Sequence, residues 1–252
     1  MGALIDEVFR TRVDHSEKMQ LIYQASKNRT EFKKKLLDDG FELSMFYAPE
    51  GHHNRRKNLF YEFVYGIECT LAGTGLREAQ FSGAFSHPDF RQALSYLYPE
   101  MIQIPSWNLN DTNSWRGFCV GLFDFDIPQY KEALPIRLAS YFYPDKFLPI
   151  FNLDHLKKVC DALGILTDAE SKGERLFAYS SFLEEKLKDI PVPNYIKSDM
   201  AYHLLHAIEL YEKLELGMEY CEVRDSYKQH WRKDYIEKGR RTLENIGMFK
   251  NA

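Results

Sequence analysis

Apolar residues along this chain recur mostly at helical spacing, and the clearest run lies in its middle. Leu134, Leu138 and Tyr141 fall on one face of a short helix. Tyr143 precedes Pro144, which disfavours further helix there, and Pro149 repeats the stop five residues on. Asn152 can then cap a second helix whose Leu156, Val159, Cys160 and Leu163 stand at i, i+3, i+4 and i+7, ending at Gly164. Phe142, Phe147, Ile150 and Phe151 lie in the turn between, too many large apolar groups for a solvated loop. The pattern predicts a packed joint.

Upstream the periodicity is less regular. Residues 3–39 read as helical, with Leu4, Val8 and Phe9 on one face and Met19, Leu21, Ile22 and Tyr23 opening the next. Ser26 to Thr30 reads as a polar break, after which Thr30 caps a helix through Phe32, Leu36 and Leu37 to Gly40. Phe41 to Tyr47 nearly alternates and fits a strand or the start of a loop. Residues 58–71 fit a strand of mixed register or a buried helix, and periodicity does not decide between them. Phe85 to Tyr98 reads as a helix with Ser86 as cap and Pro88 in its first turn. Residues 101–118 read as a polar loop carrying Trp107 and Trp115, a recognition loop or a lid on the core. Gly117 to Phe125 looks extended, which would place Asp124 and Asp126 on one side of a strand.

Downstream, helices are expected at about 174–189 and 197–216, the latter with Met200, Leu204, Ile208, Tyr211 and Leu214 on a stripe. The fold class that results is mainly α, a composite helical domain with a few β-strands between residues 41 and 125. The division expected is 1–127, an N-terminal α(+β) region and possible recognition part, and 128–252, a helical domain ending in a basic and aromatic helix.

Composition narrows the function. The chain has 252 residues, a net charge of −4, and 15% aromatic residues, with 18 Phe and 16 Tyr. The slight acidity argues against a wholesale basic coat for nucleic acid, so any such contact must come from a local patch. Cys69, Cys119, Cys160 and Cys221 form no C-x-x-C pair, and they read as reduced thiols. No run approaches the ~20 apolar residues of a membrane span, and the N-terminus lacks the apolar core of a signal peptide. A cytoplasmic protein is expected, with no membrane partner.

Two patches qualify as local and basic. Arg55, Arg56 and Lys57 adjoin His52 and His53 in a polar loop that suits phosphates or carboxylates. Residues 217–252 interleave Arg224, Lys228, Arg232, Lys233, Lys238, Arg240, Arg241 and Lys250 with Tyr227, His230, Trp231 and Tyr235. Such a helix fits a phosphate backbone, or else docks by Trp231 and Tyr235 with its charges solvated. His203 and His206 share a helix face without an identifiable acidic or cysteine partner, and satisfied structural histidines are the favoured reading. Walker A, G-x-S-x-G and H-E-x-x-H motifs are all missing from the sequence. No catalytic residue, metal ligand or cofactor is implied, although an enzyme assembled from dispersed residues stays open.

Residues 134–165, LPIRLASYFYPDKFLPIFNLDHLKKVCDALGI, resemble a segment N-terminal to the motor in McrB-like AAA+ ATPases of modification-dependent (type IV) restriction systems. FAYSSFLEEKLKDIPVPNYIKSDMAYHLLHAI, 177–208, is similar to the stretch next along the chain in those proteins. The resemblance spans about residues 120–215 and implies a non-catalytic recognition module of a defence system. Its partners would be DNA, possibly modified, and an AAA+ motor in cis or trans. Phosphates would fall to Arg55, Arg56, Lys57, Lys228, Arg232, Lys233, Arg240 and Arg241, and base stacking to Trp107, Trp115 or Trp231. The alternative is a helical adaptor that binds a phage or defence protein rather than DNA.

Overall fold

Stripes of apolar residues one helical turn apart need a partner surface, and among the described residues ten α-helices supply it to one another. The computed structural model describes residues 2–10, 15–38, 84, 87–128, 130–165 and 167–249. The helices are α1 (Gly2–Arg10), α2 (Ser16–Leu36), α3 (Phe90–Leu97), α4 (Thr112–Gly121) and α5 (Ala133–Phe142). They continue as α6 (Leu153–Leu163), α7 (Lys172–Lys186), α8 (Asn194–Glu215), α9 (Tyr220–Asp225) and α10 (His230–Asn245). A single-turn 3₁₀ helix, Pro99–Ile102, follows α3. No described helix is long and apolar enough to cross a membrane.

The central joint forms as its residues dictate. In α5, Leu134, Leu138 and Tyr141 are fully buried, and Phe142, Phe147 and Ile150 in and after the turn are nearly so. Asn152 caps α6 by accepting from the backbone N–H groups of Asp154 and His155 at 2.8 and 3.0 Å. Gly164 ends α6 at φ +98°, a left-handed conformation that glycine adopts freely. Side chains from the other elements close the joint. Asn194 at the start of α8 donates to the carbonyl of Pro144 at 3.0 Å, and Ser198 donates to that of Pro149 at 3.3 Å.

Helix α8 is the element on which the C-terminal half assembles. It packs on α1, α6, α9 and α10. Its Ile196, Ala201, Leu204, Ala207 and Leu210 are fully buried. Against α10 the approach is very close: a Cβ at Gly239 would stand 2.9 Å from the Ala207 Cα. A second close pair joins α7 to α4, where a Cβ at Gly173 would stand 2.4 Å from the Val120 Cα. In both places the missing side chain lets two backbones touch.

Several expectations need correction. Among the described residues there is no strand, and the part of 41–125 they cover is helix and loop. The expected strands at 41–47 and 58–71 lie outside the described residues. Gly117, expected in an extended run, is inside α4, because Trp115, Phe118, Cys119 and Leu122 make a buried stripe at i, i+3, i+4 and i+7. Asp111, expected in a loop, caps that helix by accepting from the Ser114 N–H at 2.8 Å. Asp124 and Asp126 are exposed in the coil beyond α4, with Ile127 buried between exposed neighbours. Thr30 starts no helix: α2 runs through it, and its hydroxyl bonds back to the Ser26 carbonyl at 3.0 Å. The first helical residue of α3 is Phe90, after Asp89 rather than Ser86.

Gly239→Ala is expected to destabilise the protein by about 1–3 kcal/mol despite the better helix propensity of alanine, because the Ala207 backbone must give way. Gly117→Ala meets open space in α4 and is expected to stabilise by about 0.5–1 kcal/mol. Thermal denaturation of the two variants beside the parent checks both signs.

Candidate functional site

A cleft of about 410 Å³ opens between α6 and α8, with Arg232 of α10 at its edge. From α6 it takes His155, Lys158, Asp161 and Ala162, which lie on one helical face. From α8 it takes Leu205, His206, Ile208, Glu209 and Glu212. Turns of α6 and α8 thus bring together residues about fifty positions apart in sequence. The volume is within the range of about 300–1,000 Å³ typical of small-molecule sites.

His206 is the centre of the arrangement. It is only 4% exposed and packed among rings. Tyr235 stacks on it at 5.4 Å between centroids, and Trp231 and Tyr227 meet it edge-on at 5.9 and 6.4 Å. Its Nδ1 faces the Glu209 carboxylate at 3.3 Å. That bond, helped by Tyr227 and Lys213 and opposed by burial, holds the Glu209 carboxyl down at about 2. An ionised carboxylate only accepts, so Glu209 takes a hydrogen from the His206 Nδ1. Nε2 is buried and has no hydrogen-bond partner among the described residues.

Two further atoms share that condition. His155 Nδ1 and Arg232 Nε are buried and unpartnered among the described residues. Burial, and then the charges of Arg232 and Lys158, push His155 down, so its ring is neutral near pH 7. The Arg232 guanidinium lies over the rings of Trp231 and Tyr227 at 5.2 and 5.7 Å, which fixes its plane. The cleft is thus lined by one guanidinium and two imidazoles, each with a buried nitrogen that has no partner among the described residues. No cluster of three or more His, Cys, Asp or Glu suited to a metal occurs among the described residues. Cys160 is no nucleophile either, since burial pushes its thiol up to about 12.

The residues singled out from sequence separate into three groups. Trp107 and Trp115 belong to the core: the Trp107 indole donates to the Tyr96 carbonyl at 2.7 Å, and Trp115 is 7% exposed. Arg240, Arg241 and Lys233 are engaged in ion pairs within the chain. Arg240 binds Glu237 at 2.8 Å and Glu244 at 2.5 Å, Arg241 binds Glu237 at 3.1 Å, and Lys233 binds Asp225 at 3.4 Å. Lys228, exposed, lies just before α10, and in its first turn the Arg232 guanidinium stacks on Trp231, which is 40% exposed. Arg55, Arg56 and Lys57 lie outside the described residues, as do His52 and His53.

Of the two histidines read as structural, His203 fits: its Nε2 meets the Thr242 hydroxyl at 2.9 Å. His206 does have an acidic partner, Glu209, at i+3, a spacing visible in the sequence but not used there. His155, Lys158 and Glu212 gave no sequence signal, because only tertiary packing unites them.

Because the Glu209 carboxyl is depressed from its ordinary 4.5 to about 2, its contribution to stability is present above about 4.5 and is lost as the pH falls toward 2. Glu209→Gln should lower stability at pH 7 by about 1 kcal/mol, a modest value because the carboxylate is partly solvated. The deficit relative to the parent should shrink as the pH falls through that window, as followed by urea denaturation.

No family model, no curated protein and no solved structure matches this chain.

Proposed function

We propose that the protein is a non-catalytic recognition module that binds DNA at the start of α10, as the resemblance of residues 134–208 to the non-motor part of McrB-like restriction ATPases suggests. One observation carries the reading. Near the start of a helix whose Arg240 and Arg241 are tied up in ion pairs, exposed Lys228 just before the helix and Trp231 and Arg232 in its first turn supply two cations and a part-exposed indole close together in sequence. A phosphate backbone meets cations and its bases stack on indoles, so this composition suits a nucleic-acid strand. Modified DNA is the substrate class that the resemblance names, and an AAA+ motor in cis or trans would then act on the bound target.

An adaptor that binds a phage or defence protein is the second reading. It is favoured by Leu216 and Met218 in the turn after α8, which are 82% and 37% exposed. Such apolar side chains suit a protein surface better than a phosphate backbone.

Fluorescence anisotropy with labelled duplex DNA separates the two. DNA binding should weaken with salt, with a log–log slope of about −2 to −3 for two or three phosphate contacts. Lys228→Glu should weaken binding about tenfold and flatten that slope by about one. Arg241→Gln, which removes a cation already paired to Glu237, should change it less than about twofold. Absence of any salt-dependent affinity rejects the DNA reading.

A further inference from the structure

One stripe of α8 runs through the cleft and out of it. Leu205, Ile208, Glu209 and Glu212 line the cleft and stand at i, i+3, i+4 and i+7. Leu216 is one turn beyond Glu212 on the same stripe, and it is 82% exposed. The apolar floor made by Leu205, Ile208 and, from α6, Ala162 therefore continues into an open leucine at the end of α8. From Leu205 to Leu216 the stripe covers about 16 Å, three turns of helix.

The leucine is held out rather than left loose. Gly217, at φ +85°, ends α8 in a left-handed turn. Its N–H donates to the Leu214 carbonyl at 2.9 Å, and the Met218 N–H donates to that of Lys213 at 3.1 Å. Just beyond, Glu219 and Glu222 form a reciprocal capping box that starts α9. A side chain on a backbone fixed from both sides loses little freedom when a partner covers it.

Charge decides what kind of partner fits. From 205 to 222 the chain has five acidic residues, Glu209, Glu212, Glu215, Glu219 and Glu222, and one basic residue, Lys213. Lys213 is already bound to Glu209 at 3.2 Å and donates to the Tyr227 hydroxyl. Exposed Glu212 and Glu215 enter no ion pair among the described residues. The cations of the cleft, Lys158 and Arg232, lie at its other end, where both act on His155.

We propose that the α8 stripe from Leu205 to Leu216 docks a basic amphipathic helix of a partner protein. Its apolar side chains enter the cleft and cover Leu216, and its lysines or arginines reach Glu212 and Glu215. Such a helix carries anchors at i, i+3, i+4 and i+7, the spacing of the stripe itself. The docking presupposes the adaptor reading and adds the chemistry of the partner. Arg232 borders both this surface and the DNA-binding one, so the variants that separate them lie elsewhere.

Fluorescence anisotropy of the full chain with labelled peptides of about 14 residues tests the surface. One peptide has leucines at helical spacing and lysines elsewhere, the second replaces the lysines by glutamates, and the third scrambles the first. The lysine peptide should bind about tenfold or more tightly than either of the others, and more weakly as salt rises. Leu216→Ser removes an exposed anchor without touching charge, and should weaken it about tenfold while leaving DNA affinity unchanged. Glu212→Lys should weaken it by about as much. Asp145→Lys makes the same change of charge in the turn held by Asn194 at the opposite end of α8, and should alter binding less than about twofold. If the glutamate peptide binds best and Leu216→Ser weakens it, the adaptor reading stands and the basic partner is rejected. If no peptide binds at about 1 mM, if the scramble binds as well as the lysine peptide, or if Leu216→Ser has no effect, the stripe is no docking surface.

Discussion

The C-terminal half of this protein depends on how closely α10 lies on α8. Gly239 and Ala207 bring the two backbones into contact, and an ordinary side chain at 239 would hold them apart. Glycine inside a helix costs about 1 kcal/mol of propensity, so its presence here is explained by what the close approach permits. With α10 seated at that depth, Trp231 and Tyr235 reach the His206 ring, Thr242 reaches His203, and the Tyr235 hydroxyl donates to Asp199. The aromatic wall behind the cleft is thus a result of backbone packing two turns away.

Electrostatics in the same region follow from that packing. The Glu209 carboxyl is held down by its hydrogen bond to His206, helped by Tyr227 and Lys213, against the opposing effect of its own burial. Burial acts in the opposite sense on His155 and His203, both pushed down because a charged imidazole loses hydration there. The chain carries more acid than base overall, with a net charge of −4. Within α10, Glu237 and Glu244 pair with Arg240 and Arg241, while the Arg232 guanidinium stacks on Trp231 and Tyr227.

Local signals were legible in the sequence and tertiary ones were not. Asn152 and Gly164 announce the ends of α6 because capping is settled within four residues. Asp111 caps α4 by the same chemistry, but a run of polar residues from 110 to 114 hides it and makes the helix start look like loop. The ion pairs of Arg240 and Arg241 with Glu237 obey i, i+3 and i, i+4 spacing, and that spacing by itself argues against either arginine as a phosphate contact. Trp107 and Trp115 are different: nothing nearby in sequence tells an indole that donates to Tyr96 from one left open for a base. The cleft itself belongs to the second kind, since His155 and His206 meet only through the packing of α6 on α8.

The Gly239 contact also has a mechanical side. It seats α10 at mid-length, and Tyr235 bonded to Asp199 on one side and Thr242 bonded to His203 at 2.9 Å on the other hold the helix to α8. At its far end Asn245 donates to Glu7 on α1 at 3.2 Å, so the helix is gripped along its length rather than at one point.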